Sequence, residues 1–374
     1  MKPGRLLRLR GMIRKEWLQV VRDPSSIAIA FFLPLLLLFI FGYGVSLDAE
    51  NIRVALVIEQ ADSQSLSFAG GFDQSPYFAP MLLPSIQEAE TALRESRVDG
   101  IVWLRHNFGR DYLRKESPPI GVIVNGVDAN TARLIEGYVQ GIWFGWLEQQ
   151  AERAGRTLKS PVRLEQRIWF NPEVRSTDFL VPGILAVIMT LIGALLTALV
   201  IAREWERGTM EALMVTRISV VEILMGKLIP YFILGMGGLV LALTMAHFLF
   251  QVPIRGSLWL LLAVSALFLW VALGMGFFIS TIFKSQFVAA LVAMVSTFLP
   301  AFILSGFIFD IRSMPAVIQG LTHLIAARYY VAILQTLFLV GDVWSVILPN
   351  AAAMAAMGLF FHGMVYRKTR KQLE

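Results

Sequence analysis

Long apolar windows without charged residues alternate with short polar connections along most of this chain. Each window holds 19 to 27 residues, and about 20 helical residues cross the apolar core of a bilayer. The pattern therefore predicts six transmembrane helices. The windows are residues 27–45, 179–202, 228–250, 257–283, 285–309 and 343–366.

A seventh apolar run, residues 329–340, has only 12 residues and follows Arg328. Because it is too short to cross a bilayer alone, it predicts a re-entrant or interfacial helix within an external segment, residues 310–342. The basic N-terminus and the basic tail, residues 367–374, should both be cytoplasmic. Two cytoplasmic ends require an even number of crossings, which agrees with six.

Residues 1–26 combine basic side chains with an apolar stripe at three- and four-residue steps. This pattern predicts a cytoplasmic amphipathic helix at the membrane surface, with a solvated basic leader as the alternative. The Asp23-Pro24 pair should end that helix, because the residue before proline disfavours helical backbone angles, and Ser25 or Ser26 can cap the next one. The stripe consists of Leu6, Leu9, Ile13, Trp17, Val20 and Val21.

The segment between the first two windows, residues 46–178, is long enough for an independent domain. It holds 18 acidic against 14 basic residues, which fits an extracytoplasmic location. Short β-type runs alternate with helical patterns, so we predict an inserted α/β domain. The β-type runs are residues 52–58, 100–104 and 120–124, and the helical patterns are residues 86–97 and 107–115.

A long helix should end this domain, beginning after an Asp128 cap and running to about Ala154. Its apolar stripe favours core packing over a ligand cage. The stripe consists of Leu134, Tyr138, Ile142, Trp143 and Trp146.

Composition excludes several function classes. Hydrophobic residues make up 56% of the chain and charged residues 16%, and the basic cytoplasmic segments account for the net charge of +6 without a nucleic acid. No phosphate-binding loop of the GxxxxGK[ST] type occurs, and no histidine stands at metal-ligand spacing. We therefore expect no catalytic, cofactor or metal site in this chain.

A dense group of charges directly follows the second window, in residues 202–213. Read as one helix, it would place Glu204, Arg207, Gly208 and Glu211 on one face, with Trp205 and Leu213 on a face toward the bilayer. Such a face is a docking surface for a soluble partner. The alternative is a solubilising loop, and the physical pattern alone weighs the two nearly equally.

Several ordered sequence blocks resemble the ABC-2 type permeases of bacterial drug-export systems. The first are KEWLQVVRDPSS, FLPLLLLFIFGYG and WFNPEVRSTDFLVPG, followed by IAREWERGTMEALMVTRISVVEILMGKLIPYFILG over residues 201–235. The last are LGMGFFISTIFKSQFVAA and SGFIFDIRSMPAVIQGLTHLIAARYY. The resemblance implies an α-helical polytopic membrane protein with six transmembrane helices and a large extracytoplasmic domain between the first two. It also implies a dimer of such subunits and two cytoplasmic ATPase subunits.

The resemblance assigns roles to three groups of residues. A coupling helix, residues 203–214, would contact the ATPase through Arg203, Glu204, Trp205, Glu206, Arg207, Gly208, Thr209 and Glu211. A cytoplasmic connecting helix would carry Arg14, Lys15, Trp17 and Arg22. The external re-entrant region would include Ser305, Gly306, Phe307, Arg328 and Tyr329. The family tends to have a proline where this chain has Ala326, so we expect an unbroken helical turn there.

We expect from this resemblance the permease subunit of an ABC exporter in the bacterial inner membrane. ATP and Mg would be bound by the partner ATPase, and the apolar spans suit apolar or amphipathic cargo. A second copy or a paralogue would complete the pathway, and a periplasmic adaptor is a further candidate partner. The alternative is a membrane receptor or scaffold whose external domain senses a ligand and whose cytoplasmic helix recruits a signalling protein.

Overall fold

The computed structural model describes residues 3–44, 51–114, 120–126, 129–153, 155, 170, 175–216 and 218–369. The chain divides into two compact units, Leu47–Arg167 and the combination of Met1–Ser46 with Ile168–Glu374. Among the described residues, six helices are long and apolar enough to cross a membrane, and the Leu47–Arg167 unit contains a four-stranded mixed sheet. The predicted fold class is therefore confirmed.

The chain begins with helix α1 (Pro3–Val21), which ends just before Asp23 and Pro24 as predicted. The next helix, α2 (Pro24–Ile27), is capped by the Asp23 carboxylate rather than by a serine, since Ser25 N and Ser26 Oγ both donate to it. A π-helical turn (Ala28–Phe32) and helix α3 (Leu33–Gly44) complete the first candidate span.

The Leu47–Arg167 unit has the alternating order of an α/β fold. In chain order its elements are β1 (Ile52–Ile58), α4 (Ser63–Asp73), β2 (Phe78–Leu83), α5 (Ile86–Arg94), β3 (Gly100–Leu104), α6 (Phe108–Leu113), β4 (Ile120–Val124) and α7 (Ala129–Arg153). The strand order is β2-β1-β3-β4, with β4 antiparallel to β3 and the other pairs parallel. The sequence patterns missed α4 and β2, and Asp128 lies outside the described residues.

Both faces of this sheet are covered. One face packs against α4, α6 and α7 through an aromatic core that includes Phe68, Phe72 and Trp146. The other face packs against α5 through small side chains such as Ala89 and Ala92. The α7 stripe lies in or against the aromatic core, as predicted.

The remaining helices form the membrane unit together with α1 to α3. In chain order they are α8 (Ser176–Glu206), α9 (Thr209–Val215), α10 (Val220–Phe248), α11 (Leu258–Ile282), α12 (Gln286–Ala293), α13 (Leu299–Leu304), α14 (Ala316–Thr322), α15 (Ala326–Gln335) and α16 (Trp344–Lys368). A π-helical turn joins α12 to α13, so that Gln286–Leu304 is one candidate span. A further π-helical turn extends α15 to Val340.

Helix α8 lies at the centre of the membrane unit, with 89% of its most apolar window buried against neighbouring helices. Small residues allow α11 to approach it closely, because a Cβ at Gly193 or Gly276 would overlap α11 or α8, respectively. The Thr197 hydroxyl donates to the Leu273 carbonyl across this contact, over 2.9 Å. Helix α8 is therefore in direct contact with several of the other helices of the membrane unit.

Helices α14 and α15 meet at an angle of 86° between Thr322 and Ala326. The expectation of an unbroken turn at Ala326 is wrong. The Arg328 guanidinium donates to the Gln319 carbonyl and the Thr322 hydroxyl, and the Tyr329 hydroxyl donates to the His323 carbonyl over 2.8 Å. These bonds satisfy polar groups at the end of α14, so the bend needs no proline.

Candidate functional site

Two lysines and two glutamates form a ring of alternating charge where α1, α8 and α10 meet. Helix α1 contributes Lys15 and Glu16, α8 contributes Glu204, and α10 contributes Lys227. Lys227 Nζ lies 2.8 Å from both Glu16 Oε1 and Glu204 Oε1. Lys15 Nζ lies 2.8 Å from Glu204 Oε1 and 3.0 Å from Glu16 Oε1. We refer to these four residues as the charge ring.

Three members of the charge ring are almost completely removed from solvent. The side chain of Lys227 is 1% exposed, and those of Glu16 and Glu204 are 0% and 5% exposed, whereas Lys15 is 46% exposed. A buried charge is tolerated only when it is paired, so each of these groups depends on the others. Burial lowers the pKa of Lys15, but the Glu204 hydrogen bond and the two carboxylates raise it by more, which keeps this lysine charged.

The local sequence explains how α1 reaches the ring. Gly226, directly before Lys227, faces Met12 of α1, and a Cβ at this position would overlap the Met12 side chain. Met12 and Glu16 are four residues apart and therefore lie on the same face of α1. The glycine thus lets α1 approach α10 closely enough for Glu16 to reach Lys227.

Two more contacts hold α1 and the following turn against the same region. Arg8 Nη2 lies 3.2 Å from Glu222 Oε1, and Glu222 also completes a capping box with Ser219 at the start of α10. Arg203 Nη1 lies 2.9 Å from Asp23 Oδ2. Burial raises the pKa of Asp23, but hydrogen bonds from Ser25, Ser26 and Arg203 lower it by more, to about 2.

The opposite side of the α8 terminus is bonded to α12. Arg203 Nε donates to Gln286 Oε1 over 3.1 Å, and Gln286 N donates to Glu206 Oε1 over 2.7 Å. Lys284 Nζ stands 4.5 Å from the centre of the Trp205 ring, in cation–π contact. The C-terminal end of α8 is therefore connected to α1, α10 and α12 at once.

The predicted continuous helix over residues 203–214 is interrupted. Helix α8 ends at Glu206, Arg207 follows as its cap, and Gly208 has φ +66° and ψ 8°, in the left-handed region that glycine adopts without strain. Helix α9 then begins at Thr209. We call the exposed residues 206–209 the α8–α9 turn.

This interruption changes which predicted residues face solvent. Glu204 was expected on an exposed face with Arg207, which is wrong, because Glu204 is buried in the charge ring and also accepts a hydrogen bond from the Thr209 hydroxyl. Arg207 is exposed, and its guanidinium has no partner in the part of the chain that the structure describes. Trp205 and Leu213 are half-buried, and the Glu211 side chain lies outside the described set.

The predicted connecting-helix residues divide into two groups. Lys15 belongs to the charge ring, whereas Arg14, Trp17 and Arg22 are exposed. Sequence reasoning missed Glu16 and Lys227. A sequence signal for Lys227 was present, because this charged residue directly precedes an apolar window. The helix that contains it, α10, begins seven residues earlier. Glu16 is similarly the only acidic residue among the basic residues of α1.

The predicted external residues lie in two separate contacts. Ser305 ends α13, and Gly306 has φ +87°, which turns the chain so that Phe307 is fully buried against Gly183 of α8. Arg328 and Tyr329 instead hold the bend between α14 and α15. Among the described residues, no group of three or more His, Asp or Glu side chains is arranged to hold a metal ion.

Comparison with known proteins gives one consistent family. Residues 25–367 match the model of the family described as ABC-2 family transporter protein. The chain is 45% identical over 368 residues to the probable multidrug ABC transporter permease YbhS of Escherichia coli (strain K12), covering 98% of each chain. It is 27% identical to the probable multidrug ABC transporter permease YbhR of the same organism, covering 96% of this chain and 99% of the relative. It is also 27% identical to the inner membrane transport permease YhhJ, covering 91% and 93%.

Proposed function

This chain belongs to the ABC-2 transporter family, and from that premise we propose that it is the permease of an exporter driven through the cytoplasmic end of α8. It is the permease subunit of an ABC transporter, whose ATPase lies in a separate subunit. The observation that supports the proposal most strongly is the charge ring, which joins α8, the helix that ends at the α8–α9 turn, to α1 and α10.

The α8–α9 turn is the proposed contact for the ATPase. Its four residues are exposed, Arg207 has a guanidinium free of partners among the described residues, and Gly208 lets α9 depart in a new direction. An unpaired arginine is well suited to a carboxylate on a partner protein, since its fork of donors matches two oxygens. Glu206 adds an acidic group held in place by Gln286.

The charge ring is the proposed route by which movement at that turn reaches the spans. Because Lys227 and Glu204 are buried and paired, separating them would leave uncompensated charges away from water. Helices α1, α8 and α10 should consequently move together when the ATPase pushes on the turn. Glu204 thus takes part in transmission rather than in direct contact with the ATPase.

The cargo we propose is an apolar or amphipathic small molecule. Phenylalanine and methionine are abundant in this chain, with 26 and 15 residues, and such side chains adapt to varied shapes. Two of the relatives are named as probable multidrug permeases, which supports the same class. We further propose a bacterial inner-membrane location with both termini cytoplasmic and the α/β unit in the periplasm, a second copy or paralogue of the permease, and an adaptor on that unit.

The test is to co-express the chain with an ABC ATPase subunit and reconstitute the complex in lipid nanodiscs. Arg207→Ala should weaken ATPase binding by about tenfold, which corresponds to the loss of one well-placed charged contact. Arg94→Ala, which removes another exposed arginine from α5, is the matched control and should leave binding unchanged.

Two results would contradict the proposal. Equal ATPase binding by the Arg207→Ala and Arg94→Ala variants would exclude the α8–α9 turn as the docking site. A chain that retains no ABC ATPase under any condition, and instead retains a signalling protein, would favour the receptor alternative. Uptake of a lipophilic fluorescent dye into inverted vesicles, with and without ATP, tests the cargo class separately.

A further inference from the structure

An open groove lies where α1 meets the first span. It encloses about 460 Å³, and its walls are apolar side chains that include Val21, Ile27, Phe31, Phe32 and Leu35. Of the described residues that line it, only Arg22 is charged. A groove with apolar walls and a single cation at one end is shaped for an amphipathic anion rather than for a free phosphate.

The charge at the mouth of the groove is available. Arg22 is exposed, and its guanidinium has no hydrogen-bond or ion-pair partner among the described residues. The neighbouring Asp23 does not neutralise it, because the Asp23 carboxylate is bonded to Ser25, Ser26 and Arg203 and is only 16% exposed. The positive charge of Arg22 therefore remains free for an anionic ligand.

The position of the groove matches the boundary of a bilayer. Helix α1 exposes apolar side chains such as Leu7 and Leu18 together with Arg14, as a helix lying in the headgroup layer does. The first candidate span begins at Pro24, two residues after Arg22. The groove thus starts at headgroup depth and continues along the apolar first turns of the span, with Phe31 and Leu35 further along.

We propose that this groove binds one anionic phospholipid of the surrounding bilayer, with its phosphate on Arg22 and one acyl chain along Ile27, Phe31 and Leu35. The site is separate from the α8–α9 turn, and lipid binding to it needs no ATPase. Lipid binding to the groove can therefore be correct if the exporter proposal fails, and the exporter proposal can be correct if lipid binding fails.

The test titrates the full-length, delipidated protein in detergent with phosphatidylglycerol and, separately, with phosphatidylcholine of the same acyl chains, counting bound lipids by native mass spectrometry. The first phosphatidylglycerol should bind more tightly than the first phosphatidylcholine. Arg22→Gln should weaken phosphatidylglycerol about fivefold and remove the preference, since one cation near a headgroup contributes on that scale. Arg14→Gln removes an equal charge from α1, the helix that precedes Arg22, outside the groove and should keep the preference.

A second variant tests the acyl-chain part of the site. Ala28 lines the groove and is exposed, so Ala28→Trp should fill the groove without disturbing a buried contact. This variant should weaken both lipids alike while its thermal unfolding temperature stays at the wild-type value.

Three outcomes would overturn the proposal. The first is an equal effect of Arg14→Gln and Arg22→Gln on phosphatidylglycerol. The second is a lipophilic dye that binds the groove and is not displaced by phosphatidylglycerol, which would make the groove a cargo site. The third is conversion of a dimer to a monomer by Ala28→Trp with unchanged lipid binding, which would assign the groove to a second copy of this chain.

Discussion

The C-terminal end of α8 and the bend between α14 and α15 are both held by charged side chains, but over very different sequence distances. In the charge ring, Glu16 and Lys227 are separated by 211 residues and Lys15 and Glu204 by 189. At the bend, Arg328 reaches partners only five to nine residues away. The ring therefore forms only when α1, α8 and α10 are packed together, whereas the bend is held by contacts within one short segment of the chain.

This difference predicts distinct responses to substitution. Removing one member of the ring leaves a buried charge without a partner and should loosen the whole membrane unit. Removing a contact at the bend leaves carbonyl groups unsatisfied near the surface and should affect only the neighbouring turns. Five experiments test this difference, in order of decreasing expected effect.

The largest effect is expected for Lys227→Met. It leaves Glu16 and Glu204 with Lys15 as their only cation in the ring, and loss of one partner of a buried ion pair costs about 3–5 kcal/mol. The thermal unfolding temperature in detergent should fall clearly. Lys368→Met removes an exposed lysine at the end of α16 and is the control.

A double variant examines the reason for that loss. Glu16→Gln combined with Lys227→Met removes one charge of each sign, so it should be less destabilised than the sum of the two single variants. Additive effects would mean that the ring does not act as a unit. A Lys227→Met protein as stable as Lys368→Met would show that the ring contributes nothing to the stability of the fold.

The next effect is expected for Arg328→Met at the bend. Hydrogen bonds from a charged donor contribute about 1.5–3 kcal/mol, and this change removes those to Gln319 and Thr322. Hydrogen exchange should accelerate at residues 316–335 and stay unchanged at α8 and α10. The control is Arg312→Met, an exposed arginine in the preceding turn. Accelerated exchange throughout the membrane unit would show that the bend is not local.

Acidification should weaken the Asp23–Arg203 contact in a defined range. The pKa of Asp23 is lowered from 3.8 to about 2 in the folded protein, so its stabilising contribution is complete well above pH 3.8 and is lost as the pH falls toward 2. The difference in unfolding temperature between wild type and Asp23→Asn should therefore be largest near neutral pH and shrink between pH 4 and pH 2. A difference that does not change with pH would mean that the charge of Asp23 contributes nothing.

The smallest effect is expected for Gly208→Ala in the α8–α9 turn. An alanine at φ +66° costs about 1 kcal/mol, because its Cβ crowds the backbone in the left-handed region. Gly363→Ala is a matched control, since that glycine is helical with open space around it and alanine should stabilise it slightly. Equal unfolding temperatures for the two variants would show that the turn does not require a left-handed residue.

The spans and the inserted α/β unit could be predicted because each depends on patterns within a short stretch. The elements missed in that unit carry residues that weaken such patterns. Pro80 lies within β2 and cannot donate to a sheet, and Gly70 and Gly71 lie within α4, where glycine lowers helix propensity. Both elements form because the sheet and its aromatic core stabilise them.

The charge ring could not be predicted from the sequence, for a different reason. Helical spacing identifies neighbours three or four residues apart, but it cannot pair Glu16 with Lys227 across the inserted unit. The glycine at position 208 was a usable signal, because glycine commonly follows the end of a helix. The prediction of a single helix over residues 203–214 did not use this glycine, and it therefore placed Glu204 on an exposed face although its side chain is buried.

The charge ring also sets an order of events during synthesis. Lys15 and Glu16 leave the ribosome more than 200 residues before Lys227, and the entire α/β unit is made between them. At about 5–20 residues per second, that interval is on the order of 10–40 s. During this time Glu16 lacks its Lys227 partner, so a charged Glu16 has to stay hydrated until α10 is made. The synthesis of α10 then supplies Lys227, which completes the charge ring.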